Sequence, residues 1–256
     1  MVAAAIDPAR DRTSYFYVWM AGACALVALG GFAPTYWLQL APRTFVGPPL
    51  LHLHAALFSA WTLLFLSQTV LAAQGRLEHH RAWGLAGISL ATAMLLVGLA
   101  AAIHTLTDGL GAGYGDQSRS FVILPVSAIV VFAGFFAAAV ANISRPEWHK
   151  RFILLATVSL LQAAMARVFF VLATGGGPGA RPGIGPPPPV QLGVAAGLVV
   201  DLLIVAGMIY DWRTRGRPHP AYLIGLVVTV AVQVLRGPIS QTPPWLAFAD
   251  LLARFG

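Results

Sequence analysis

Seven apolar runs, each close to the length that crosses a bilayer, constrain this 256-residue chain more than any other feature. They cover 15–34, 50–73, 83–104, 121–141, 151–173, 190–210 and 221–236. A helix rising 1.5 Å per residue needs about twenty apolar residues to span roughly 30 Å of hydrocarbon, and an open sheet edge has no hydrogen-bond partners there. The expected fold is therefore all-α, a polytopic bundle of one leading helix and three helical hairpins in a single transmembrane domain. Charged residues make up only 10% of the chain, less than half the share usual in soluble domains, which fits the same class.

The formal charge of +7 invites a nucleic-acid reading, but the basic residues fall in short turns rather than along one stripe. Alternate turns on one side hold Arg10, Arg12, Arg76, Arg81, Arg145, Lys150, Arg151, Arg213, Arg215 and Arg217. The other side holds Arg43, Arg119, Arg181 and Arg254. The positive-inside rule then expects a cytoplasmic N-terminus and a periplasmic C-terminus in a bacterial inner membrane, with the lipid bilayer as partner and no nucleic acid. Trp83, Trp148 and Trp212 fall at the inner edge, Trp37 and Trp245 at the outer. The opening MVAAAIDPARDRTSYF lacks the basic-then-apolar layout of a cleaved signal, so the first run is expected to remain as a helix. The single cysteine, Cys24, permits no intrachain disulfide and is expected to pack.

Two other segments stand apart. Residues 174–191, rich in Gly and Pro, read as an external linker or a lid. Residues 245–256 place Trp245, Phe248, Leu252 and Phe255 near one face, with Asp250 and Arg254 at i,i+4 spacing, as in an interfacial helix.

Internal similarity adds a further expectation. Arg76, Glu78, His80 and Arg81 recur as Arg145, Glu147, His149 and Lys150 at a constant offset of 69 residues, and a fainter copy surrounds His219. Histidines at three such turns suggest a cytoplasmic metal or proton-handling site formed by His80, His149 and His219. The competing reading is helix capping and headgroup anchoring.

The residues costliest to insert are Arg167, Asp201 and Arg236, with Gln68, Gln162 and Gln233 as lesser cases. Counting along the helices puts both arginines about 25 Å from the cytoplasmic edge, with Asp201 near the midplane. His54 enters helix two from outside at a similar level. Its neighbour His52 points about 200° away, so only one of the pair faces the bundle. His54 continues to Trp61 and Gln68 at seven-residue steps, an inward polar stripe, while His52 is expected at the interface. With His104 at the outer end of helix three, His54 forms a candidate pair of axial ligands to a haem iron, and Arg167 and Arg236 could neutralise propionates. Two arginines against Asp201 leave a positive surplus that a quinone or other anionic ligand would also satisfy. A purely structural salt bridge competes with both. No nucleophile–base arrangement, glycine-rich phosphate loop or HExxH motif supports hydrolytic chemistry.

The stretches HLHAALFSAWTLLFLSQTVLAAQGRLEHHRAWGLAG and RPEWHKRFILLATVSL resemble a broad group of bacterial multi-helix membrane proteins with H-x(6)-W and H-[RK] signatures. The second also resembles helix starts in small membrane proteins of haem-copper oxidase assembly. The resemblance covers mainly residues 50–170 and implies a role near respiratory redox or haem chemistry. Three functions follow as expectations: electron transfer with haem b or quinone in the outer leaflet, an accessory or assembly subunit of a larger respiratory complex, or a small-molecule transporter with a path through Gln68, Gln162, Asp201 and Gln233.

Overall fold

The computed structural model describes residues 8–180, 182 and 184–256, with side chains described from residue 15 onward. The side chains of Arg10 and Arg12, expected to help orient the chain, lie outside what is described, as do Arg181 and residues 1–7. The described chain is helical, with seven stretches long and apolar enough to cross a membrane. These are α1 (Tyr15–Leu40), α2 (Pro49–Ala73), α3 (Leu77–Gly111), α4 (Asp116–Ala141), α5 (Pro146–Thr174), α6 (Leu192–Arg215) and α7 (Pro220–Ile239). A shorter helix, α8 (Pro243–Ala253), follows. The chain is a multi-pass α-helical membrane protein.

Several helix ends run beyond the expected runs, some because polar residues there still bond within the helix. Thr105 and Thr107 return their hydroxyls to the carbonyls of Ala101 and Ile103, so α3 continues past His104 to Gly111. Helix α6 continues through Asp211 to Arg215, and α5 starts at Pro146, whose missing N–H costs nothing in a first turn. In α1, Pro34 cannot continue the regular ladder, and residues Ala33–Trp37 widen into a π-helical turn.

Helix α5 is the hub, packed against α1, α4, α6 and α7. Leu154, Leu155, Ala156, Thr157 and Val158 are all buried in it. Across the rest of the core, Trp61 of α2 donates its indole N–H to Thr157 at 3.2 Å and meets Phe132 of α4 edge-on. Cys24 packs in the same core as a buried free thiol. The opposite faces of the helices present Leu26, Leu96, Leu172, Leu202 and Val227 outward, the surface hydrocarbon requires.

Apolar side chains gain little by leaving lipid for one another, so close backbone approach becomes the main source of packing energy. A Cβ on Gly31 of α1 would stand 2.6 Å from the Ala164 carbonyl of α5. Along α6 the glycines serve large neighbours instead. A Cβ on Gly197 would meet the Gln233 amide at 2.5 Å, and one on Gly207 the Tyr222 ring at 2.5 Å. Polar side chains from α5 and α7 therefore lie in slots along one face of α6.

The Gly/Pro-rich connection is tied at both flanks: Gln39 donates to the Ala180 carbonyl at 2.9 Å and Gln117 to that of Pro187 at 2.7 Å. Helix α8 buries Ala249 and Leu252 against Ile103, Leu106 and Val122. Asp250 bonds Arg119 of α4 at 2.7 Å rather than the expected Arg254, because docking turns its carboxylate toward the α4 start.

Candidate functional site

The turns α2–α3, α4–α5 and α6–α7 share one end of the bundle, here termed the basic face. Its centre is a buried ion pair. Arg151, on the first turns of α5, is fully buried and forks onto Asp211 of α6, also fully buried, with Nε to Oδ2 at 2.9 Å and Nη2 to Oδ1. Its Nη1 donates to the Glu147 carbonyl at 2.8 Å and carboxylate at 2.7 Å, and the Tyr222 ring lies under the guanidinium at 5.5 Å. Glu147 also accepts from Lys150 at 2.7 Å and from Arg215. Neither Arg151 nor Asp211 was expected in a site: the one reads as a turn charge, the other falls one residue past the expected helix. Asp211 nevertheless lies eighteen residues from Gly193, about five full turns, and so on the same face of α6. The bidentate, fully paired geometry marks the cluster as structural, a clamp between α5 and α6.

His219 borders this clamp rather than joining the other turn histidines. Its ring meets Trp148 edge-on at 4.6 Å, and its backbone N–H donates to Asp211. Burial first, then the Arg151 guanidinium, holds its imidazole below the ordinary pKa. The neutral ring keeps Nδ1 as an acceptor for the Ala221 N–H and caps α7.

At the opposite end, the expected outer-leaflet site divides in two. Helix α5 separates the arginines. Arg167 lies over the Phe32 ring of α1 at 4.2 Å, donates to the Ala163 carbonyl and acts electrostatically on His54 of α2. Arg236, only 3% exposed, points into α4, α5 and α6, with Nη2 3.8 Å from where a Gly193 Cβ would stand. The two guanidiniums do not converge on one ligand.

The first subsite holds His54 and Arg167. The His54 ring stacks on Phe58 at 4.1 Å, and its Nδ1 is buried with no hydrogen-bond partner among the described residues. His52 is exposed and bonds the Tyr36 hydroxyl at 2.9 Å. His104 does not face His54. Gly98 of α3 is the residue that meets Phe58, and His104, six residues on, is rotated by about 240° from it. Its Nε2 lies 3.2 Å from Asp108 of the next turn, so α2 and α3 do not present two imidazoles to one iron.

The second subsite gathers Gln162, Asp201, Gln233 and Arg236. Gln233 donates to Asp201 at 3.0 Å, and Gln162 to the Gly193 carbonyl at 2.8 Å. Arg236 Nε and Nη2 and Gln233 Oε1 have no partner among the described residues. They border a cavity of about 20 Å³ lined also by Ser127, Ser159 and Thr229, three hydroxyls absent from the expected site. That volume suits one water, which can accept from the guanidinium and donate to the amide oxygen.

Gln68 and the remaining turn histidines belong to the basic face. His80 and His149 approach with ring centroids 6.4 Å apart. Among the described residues, no three His, Cys, Asp or Glu side chains form a metal-binding group. Comparison with protein families, with curated proteins and with solved structures finds no match.

Proposed function

We propose that this membrane protein binds a quinone-class ligand at the His54–Arg167 subsite and serves redox electron transfer. The observation that carries the reading is the His54 imidazole, stacked on Phe58, with Nδ1 buried and unpartnered among the described residues. A quinone ring extends such a stack, its carbonyl oxygens accept from imidazole and guanidinium N–H groups, and its tail lies in lipid. Haem b would use the same imidazole as an axial ligand, with Arg167 toward a propionate. Quinone is favoured because it needs no second imidazole opposite His54. The positive-inside rule supports a cytoplasmic basic face, which puts this subsite in the outer leaflet.

The test is purification in mild detergent from quinone- and haem-replete membranes. Solvent extraction with mass spectrometry reads quinone; oxidised and dithionite-reduced spectra read haem. Retained quinone, reduced about tenfold or more in His54→Ala, is the expected result, the worth of one hydrogen bond to a polarised carbonyl at roughly 1.5 kcal/mol. A Soret band lost in the same variant assigns haem instead. Wild-type protein carrying neither overturns the reading.

A further inference from the structure

We propose that His80 and His149 form a binding site for a divalent transition-metal ion on the basic face. The site is independent of the quinone subsite. It arises from the repeated turn motif: equivalent histidines, 69 residues apart in sequence, start α3 and α5 and meet with perpendicular rings, 6.4 Å between centroids at 85°.

Each ring has a backbone carbonyl beside it from the end of an earlier helix. Ala139 O lies 2.9 Å from His149 Nδ1, and the Gln68 carbonyl approaches His80. An imidazole that gives its N–H to a carbonyl keeps the lone pair on its other nitrogen, the second-shell arrangement typical of metal-bound histidine. His80 Nδ1 is buried without a partner among the described residues, as are both amide atoms of Gln68. Two imidazoles, from α3 and α5, thus meet beside the α2 residue Gln68, whose backbone carbonyl approaches His80.

The chemistry selects the ion. Imidazole suits Zn²⁺, Cu²⁺ and Ni²⁺, while Mg²⁺ and Ca²⁺ prefer a shell of oxygens. A shared ion separates its two ligating nitrogens by no more than about 4 Å, twice the metal–nitrogen bond, so from 6.4 Å between centroids the two rings must draw closer as well as turn to share one. Glu147 is unavailable, since it holds Lys150, Arg151 and Arg215. His219 is occupied as the α7 cap. Water, or the Gln68 amide oxygen, completes the coordination.

The probe is Cu²⁺ titrated into metal-stripped full-length protein, read by electron paramagnetic resonance. The expected spectrum shows one ion per chain with hyperfine structure from two imidazole nitrogens. His80→Ala and His149→Gln should each remove one nitrogen and weaken binding by at least about tenfold, the low end of what loss of an orienting partner alone costs. The glutamine keeps an amide N–H for the Ala139 carbonyl, so the α4–α5 turn is retained. The His80→Ala/His149→Gln pair should abolish the signal, while His79→Ala and His219→Asn leave it unchanged. A two-nitrogen spectrum that survives the double change, or wild-type protein that gives none, overturns the proposal.

Discussion

At the scale of single residues, the costliest group to bury carries structure rather than chemistry. Arg151 has every guanidinium nitrogen committed, to Asp211, Glu147 or both, and no solvent exposure. Removing one partner of such a pair strands the other charge in a low-dielectric interior, at about 3–5 kcal/mol. Arg151→Met should therefore lower thermal stability in detergent by several degrees, and Arg151→Met/Asp211→Leu should recover most of the loss, since well-packed apolar pairs replace buried ion pairs without penalty. A single variant as stable as the parent would show that the clamp contributes nothing. The contrast with Arg236 explains what the amino-acid order conveyed. Depth along a helix is legible from residue counting, so Arg167, Arg236, Asp201 and the glutamines were identifiable as inward polar groups. Which side of α5 each arginine faces depends on helix packing, and that separated two groups that share a depth.

At the scale of elements, the seven spans were legible because hydrocarbon thickness imposes a length on each, whereas their ends were not. Polar residues such as Thr107 or Asp211 halt an apolar run without halting a helix, because hydroxyl back-bonds and ion pairs satisfy them inside it. Along one face of α6, Gly193, Gly197 and Gly207 admit Gln162, Gln233 and Tyr222, and the extension past Tyr210 adds Asp211. Gly207→Ala places a methyl 2.5 Å from Tyr222 Cζ, and Tyr222 is fully buried with no room to retreat. The expected loss is about 1–3 kcal/mol, the usual range for overpacking. Gly84→Ala in α3, where nothing lies within 4 Å of the new methyl, should be neutral or gain up to about 1 kcal/mol from helix propensity. Equal midpoints for the two variants in thermal unfolding would refute the close α6–α7 contact.

For the whole molecule, the placement of the proposed metal and quinone subsites on opposite membrane faces turns on which way the bundle inserts. The charge bias that decides orientation acts on the emerging chain, before Asp211 can neutralise Arg151, so Arg151 counts with the other basic residues of its face. Thr214 lies on that face, Phe255 on the opposite one after α8, and both are exposed. Cys24, the single native cysteine, is fully buried and should stay silent toward thiol reagents in the folded protein. In intact cells a membrane-impermeant maleimide should label Phe255→Cys and spare Thr214→Cys, and permeabilised cells should give both. The reverse pattern would invert the bundle, move the His54–Arg167 subsite to the cytoplasmic leaflet, and leave the paired histidines of the basic face open to metal from outside the cell.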